Sequence, residues 1–200
     1  SRGQFGVKQN KLNWQANGSK QKNIVINYTW KSEGNAIDLL NQIAMQMLLS
    51  LPVTKLHFTL INYNKDPWAR FLDKNIDDRL VDVIYDERRV PALYAALSQK
   101  MEEDSNQLGC SLEQKNIEDK SIYRPYEVVV MNASDANSRR ELMSLFRNGA
   151  DSGIYFIIMN NTEERVTYNQ SNGVLDQTPF IQTIDADVDF YSDVPIAVQQ

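Results

Sequence analysis

Asn23-Ile24-Val25-Ile26-Asn27-Tyr28, followed by a loop from Thr29 to Gly34 and then by Asn35 to Ser50, is the stretch on which the fold turns. The first run is short and rich in β-branched residues, the composition of a strand. In the last, Ile37, Leu40, Ala44, Met47 and Leu48 recur at the spacing of one helix face. The unit therefore reads strand, loop, helix. Pro52 closes the helix, because proline has no N–H to donate and its ring clashes with the preceding turn.

Working outward, the same alternation continues. Leu56 to Ile61 is the next strand and Leu80 to Tyr85 a further short one. A long helix runs from about Arg89 to Leu108, with Val90, Leu93, Leu97 and Met101 along one stripe and Gly109 as its stop. Leu112 to Ile117 suits a short helix. Tyr126-Glu127-Val128-Val129-Val130-Met131 is almost continuously apolar, as a strand covered on both faces must be. Ser138 to Asn148 reads as a helix through Leu142, Leu145 and Phe146, and Gly153 to Met159 as another buried strand. Strands alternating with helices predict a doubly wound α/β domain: a mostly parallel sheet with helices on both faces. Phe180 to Ile184 and Val188 to Tyr191 read as edge strands or a return hairpin, a short C-terminal β extension.

Composition narrows the function. The chain has 200 residues, 42% hydrophobic and 24% charged, enough for one sizeable core. Its formal net charge of −5 argues against a chain-wide grip on nucleic acid, which needs Lys and Arg gathered on a face. Arg139-Arg140, Arg147 and Arg88-Arg89 are the candidate cations for a local contact, and acids dilute them. Cys110 is the only cysteine and His57 the only histidine, so neither a thiolate metal cluster nor a histidine-based site has enough parts. His57 sits in an alternating strand and reads as a surface histidine. Asp185, Asp187, Asp189 and Asp193 lack the glycine and terminal glutamate of a calcium loop and read as solvent-facing strand acids. No apolar run reaches the roughly 18 residues that cross a bilayer, and no signal peptide opens the chain, which therefore reads as cytoplasmic without membrane contact. The polar start, residues 1–22, reads as part of a longer protein.

In a strand-loop-helix unit, phosphate would be expected at the helix N-terminus, where free N–H groups and the helix dipole converge. The working pattern is G-x-x-x-x-G-K-[ST], in which the lysine neutralises phosphate and the hydroxyl holds magnesium. Here the window reads Thr29-Trp30-Lys31-Ser32-Glu33-Gly34-Asn35-Ala36. Only the second glycine remains. Asn35 stands for the lysine, Ala36 for the hydroxyl, and Glu33 adds a negative charge. Trp30 has two readings, a plug in the loop or an aromatic packed on the helix end. The strand ending at Met131 should be followed by acids that manage magnesium and water, and is followed by Asn132 and Ala133.

Taken in order, these segments resemble the motor domain of FtsK/SpoIIIE-type DNA translocases, over roughly residues 23–162. Gly34-Asn35-Ala36-Ile37-Asp38-Leu39-Leu40 looks like the family's G-K-S-x-x-L-L. Leu56 to Asn62 looks like its second core strand, with Asn62 where Asp is usual and Lys65 nearby. Met101-Glu102-Glu103-Asp104 with Gln107-Leu108-Gly109 is similar to the helix before the second nucleotide motif. Leu145 to Ile158, through Arg147 and Gly153-Ile154-Tyr155, resembles the arginine-containing segment that leads into the family's G-I-H strand. Asn161 stands at the family's sensor-like Gln, and Ala150 where an Arg is frequent.

The resemblance implies a P-loop NTPase, RecA-like fold that is degenerate in its nucleotide motifs. Residues 23–162 form that domain, and residues 163–200 extend its sheet. Its vestigial phosphate loop would be Thr29, Lys31, Ser32, Gly34, Asn35 and Ala36, with Asn132 and Ala133 at the Walker B positions and Asn161 as sensor. No catalytic residue, metal site or cofactor is expected, because phosphoryl transfer depends on positioned charge and the charged groups are replaced. Three functions stay open. The first is a non-hydrolysing structural or regulatory module of a larger DNA-translocase or secretion-type ATPase, packed against active ATPase modules, in a ring for example. The second is a domain that binds ATP and magnesium with residues from a neighbour, for which Lys31 and Lys65 are the nearby cations. The third is a DNA-binding module with local or indirect contacts.

Overall fold

The computed structural model describes residues 23–50, 56–70, 79–107, 111–112, 114–115, 124–135, 140–164, 175 and 178–187. The polar segment 1–22, Gly109, Cys110, Arg139, Asp189, Asp193 and the run Val188 to Tyr191 lie outside these. The described elements are β1 (Asn23–Tyr28), α1 (Glu33–Ser50), β2 (Leu56–Ile61), β3 (Val81–Ile84), α2 (Val90–Gln107), β4 (Tyr126–Asn132), α3 (Arg140–Asn148), β5 (Ile154–Asn161) and β6 (Ile181–Asp185). Leu112, Gln114 and Lys115 are helical, in line with the short helix expected there.

The six strands form one sheet in the order β3-β2-β4-β5-β1-β6, and every described pairing is parallel. Alternation along each strand divides the core into two layers. Ile24, Ile26, Phe58, Leu60, Val128, Val130, Ile157 and Met159 face α1, which contributes Leu39, Leu40, Ile43 and Met47. Val25, Ile61, Val129, Met131, Phe156 and Ile158 face the other way, toward Tyr94 and Leu97 of α2 and Leu142, Leu145 and Phe146 of α3. This two-sided cover is why β4 and β5 read as continuous apolar runs. Phe146 and Phe156 meet at 5.5 Å in a tilted pair within the second layer.

Of the two forms expected for the C-terminal runs, Phe180 to Ile184 takes that of an edge strand, for β6 lies at the edge of the sheet parallel to β1, with Asn23 opposite Ile181 and Asn27 opposite Asp185, while Val188 to Tyr191 lies outside the described residues. Two expectations change at the edges of elements. The loop from Thr29 to Gly34 is shorter than its sequence implied: Trp30–Ser32 coil into a 3-10 turn and α1 begins at Glu33. Likewise Glu87–Arg89 make a 3-10 turn, capped by the Asp86 carboxylate accepting from the Arg88 N–H at 3.0 Å, before α2 starts at Val90.

A buried asparagine joins distant parts of the sheet. Asn23 Nδ2 donates to the Phe146 carbonyl (2.8 Å) and the Phe180 carbonyl (3.3 Å), while its Oδ1 accepts from the Phe156 N–H (2.9 Å). The amino end of β1 is thereby tied to α3, to β5 and to the approach of β6.

The turn before β5 depends on Gly153, whose φ of 69° lies in the left-handed region. A Cβ there would come within 2.6 Å of Leu112 Cδ2 and 2.8 Å of Tyr126 Cδ1. Gly153→Ala should therefore destabilise the domain by about 2–4 kcal/mol, read from urea unfolding midpoints at unchanged slope. A change under about 0.5 kcal/mol would mean that the turn relaxes freely.

Candidate functional site

The carboxyl edge of the sheet is where this architecture places ligands. Helix α1 leaves β1 on one face and α3 leaves β4 on the other, so their loops part around the end of β5, and such partings form the crevices of open α/β sheets. Register brings the sequence-chosen positions together there. Tyr28 pairs with Asn161 and Asn132 with Met159. By strand alternation Tyr28, Asn161, Asn132 and Asn62 all project from the α1 face, in the lateral order β1, β5, β4, β2.

The loop after β1 is closed on itself. The Thr29 N–H donates to Ser32 Oγ (2.9 Å), and the Ser32 N–H donates to the Thr29 carbonyl (3.1 Å). Ser32 is only 5% exposed and its hydroxyl occupies the turn. Thr29 Oγ1 donates to Asp187 Oδ1 at 3.0 Å, which brings a carboxylate onto the loop. Asp185 is exposed as expected of a strand acid, whereas Asp187 lies beyond β6 and holds this contact. Gly34 has no positive φ, and a Cβ on it would meet nothing within 4 Å, so the surviving glycine serves neither a turn nor a close approach. Ala36 is buried in the α1 layer, Asn35 is half-buried, and Lys31 points to solvent. Trp30 is 59% exposed, which does not suit a plug buried in the loop.

The loops after β2 and β4 form a second, polar part. Asn132 Nδ2 donates to Asp66 Oδ1 (3.3 Å), and Asn132 Oδ1 accepts from the Ser134 N–H (2.8 Å) and hydroxyl (2.9 Å). Asn62 Oδ1 accepts from the Asp66 N–H at 2.7 Å, and Asn64 Nδ2 donates to Asp135 Oδ1 at 2.7 Å. Ala133 is buried in the opposite layer, its N–H donating to the Met159 carbonyl at 2.9 Å. Asn161, 3% exposed, accepts from the Glu163 N–H at 3.0 Å. Asp66 and Asp135 were not singled out in the sequence. Nothing in a strand-end pattern reveals two carboxylates meeting from separate loops.

Electrostatics at this edge is dominated by acids. Burial raises the Tyr28 hydroxyl well above its ordinary value, and the Glu33, Asp66 and Glu164 carboxylates raise it further. Burial also pushes the Asp66 carboxyl up, against the Asn132 hydrogen bond and with Glu164 and Glu33 adding to it. Asp135 is pushed up to about 6, chiefly by burial, while hydrogen bonds from Tyr63 and Asn64 oppose the shift. Lys65 lies beside these loops with φ 55°, exposed to solvent. Of the arginines weighed for DNA, Arg88 pairs with Asp86 at 2.9 Å and Arg89 with Asp82 at 3.5 Å. His57 is half-buried on β2, and its Nδ1 lies 2.8 Å from Glu127 Oε2, a hydrogen bond that raises its pKa. Among the described residues no group of His, Cys, Asp and Glu could hold a metal ion, and no helix is long and apolar enough to cross a membrane.

Sheet order and helix placement together match an α/β, RecA-like fold. Solved structures share the fold at low sequence identity. One is the cytoplasmic domain of EssC, at TM-score 0.59 and 15% identity over 82% of this chain and 32% of that one. Another is EssC (ATPases 2 and 3) from Geobacillus thermodenitrificans, at TM-score 0.55 and 16% identity over 82% of this chain and 31% of that one. The chain thus spans about a third of the length of either. No protein-family model matches the sequence, and no curated protein does.

The raised carboxyl of Asp135 makes stability depend on pH. It binds its proton with a pKa of about 6 in the folded domain against 3.8 ordinarily, so the folded state holds more protons between those values and stability falls as pH rises through 6. Lowering pH from about 7.5 to 5.5 should raise Tm by roughly 2–3 °C, and Asp135→Asn should flatten that rise in a thermal-unfolding series. His57 titrates in the same direction, so an unaltered slope in the variant would assign the effect to the His57–Glu127 pair instead.

Proposed function

We propose that this domain is a non-hydrolysing FtsK/SpoIIIE-like module of a larger DNA-translocase or secretion-type ATPase, acting as a structural or regulatory partner of active ATPase modules. The observation that carries the reading is the chemistry at the crevice. Where ATP and magnesium would require a lysine, a hydroxyl and two acids, the chain presents Asn35, buried Ala36, Asn132 and buried Ala133. A polyphosphate entering there would face Glu33, Asp66, Glu164 and Asp187. Single electrostatic contacts of this kind are each worth about 3–4 kcal/mol of transition-state stabilisation, so losing several removes useful turnover. The neighbour with ATPases 2 and 3 in one chain supports a place within a multi-module assembly, since the present chain matches about a third of its length.

The reading is tested by calorimetric titration of the domain with ATP and ADP, with and without magnesium, followed by an ATPase assay on the same sample. No binding is expected at about 1 mM nucleotide and no turnover above background. Magnesium-dependent binding with turnover would overturn the proposal in favour of a site completed by a neighbour, and would make Lys31 and Lys65 the first residues to replace.

A further inference from the structure

The amino edge of the sheet, at the opposite end of the strands from the crevice, holds the chain's one histidine. His57 and Glu127 are the second residues of β2 and β4 and stand directly opposite one another in the parallel register, so both side chains project from one face of the sheet. Alternation with Ile61 on β2 and with Val129 and Met131 on β4 makes that the face covered by α2. Where this apolar layer ends, two titratable groups therefore meet beside the helix.

Glu127 serves two partners with separate oxygens. Its Oε2 lies 2.8 Å from His57 Nδ1, and its Oε1 lies 3.7 Å from Lys100 Nζ. Lys100 Nζ also donates to the Pro125 carbonyl at 3.1 Å. One carboxylate thus joins β2, β4 and α2. The Lys100 and Glu127 side chains are 15% and 20% exposed, sheltered from much of the solvent screening that leaves surface ion pairs worth little. Neutral His57 can donate its Nδ1–H to Oε2, and the imidazolium can do the same, so protonation strengthens the contact without moving it. Because Lys100 holds the other oxygen, the second cation displaces nothing.

The charged groups around the pair fix the direction of the response. Among the described residues these are Asp82 of β3, Lys100 of α2 and, beyond Lys100, Arg124, which pairs with Asp104. The Glu127 hydrogen bond raises the His57 pKa, burial works against it, the Glu127 and Asp82 charges add to the rise, and Lys100 opposes it. The folded chain therefore keeps this proton above the ordinary value of 6.5, so the contribution to stability is complete below 6.5 and is lost as pH rises through the folded value. We propose that His57, Glu127 and Lys100 form a proton-operated latch, which tightens the amino ends of β2 and β4 and their hold on α2 as pH falls through the neutral range. The latch stands independently of the reading of the carboxyl edge, where Asp135 titrates.

A single histidine gives one imidazole Cε1–H signal, so its NMR titration in the 200-residue chain reads the latch directly. The midpoint is expected above 6.5, lower in Glu127→Gln, and higher in Lys100→Met, which removes the opposing charge. Amide exchange, corrected for its intrinsic pH dependence, reads the tightening: protection of residues 56–58 and 126–128 should rise about threefold from about pH 8 to about pH 6. Glu127→Gln should abolish that rise, while Asp135→Asn, at the opposite edge, leaves most of it in place. Should Lys100→Met fail to fold, the wild-type midpoint and Glu127→Gln decide. The latch would be overturned by a midpoint at or below 6.5, by a midpoint that Glu127→Gln or a folded Lys100→Met leaves unmoved, or by a rise in protection that survives Glu127→Gln or vanishes in Asp135→Asn.

Discussion

Strand β5 must be dry on both faces and hydrogen-bonded along both edges, and the rest of the domain is arranged to meet that demand. It pairs with β4 on one side and β1 on the other. Tyr155, Ile157 and Met159 need α1 over them, while Ile154, Phe156 and Ile158 need α2 and α3. A backbone buried in this way can satisfy its polar groups only through neighbouring strands, which makes the parallel order a requirement rather than a preference. The same arrangement leaves the carboxyl end of β5 at the parting of two loops. Scaffold and crevice are thus one consequence of covering a single strand.

What fills that crevice is a network of amides and acids. Asn62 and Asn132 keep the geometry that an aspartate would have at a strand end, but as amides they can also donate, and Asn132 does so to Asp66. The carboxylates that remain, Asp66 and Asp135, have raised pKa values because burial outweighs their hydrogen bonds. A helix N-terminus ordinarily favours an anion by some tenths of a kcal/mol up to about 1 kcal/mol. Here Glu33 in the first turn and Asp187 on Thr29 already supply the negative charge.

Most of the scaffold was legible in one dimension. The six-residue run at Asn23, the helical spacing through Ile37 and Met47, and the apolar runs at Tyr126 and Gly153 each located an element within a few residues, because burial on one or two faces leaves a period in the sequence. Lateral order was not legible, since no local pattern says that the edge strand β6 would pair with β1. At the site, Asn35, Ala36, Asn132 and Asn161 could be found by their offset from strand ends. The partners of this edge could not. Asp66, Asp135 and Asp187 come from three loops, and only register brings them beside Asn132, Asn64 and Thr29. The 3-10 turn at Trp30 was missed for a related reason: Ser32 satisfies the backbone of Thr29 locally, and a hydroxyl three residues on is a common spacing.

The position of β1 has a consequence for the order in which the chain can assemble. Its neighbours on both sides arrive late, β5 from Ile154 and β6 from Ile181, and the side chain of Asn23 must wait for Phe146, Phe156 and Phe180. During synthesis the run Ile24-Val25-Ile26 therefore emerges before either of its described neighbours, while more than 120 further residues are added. Non-local pairing of this kind slows folding and leaves apolar strand edges open to the wrong partner. The first described strand is thus secured only late, and a nascent chain halted before β5 would carry its apolar edges uncovered.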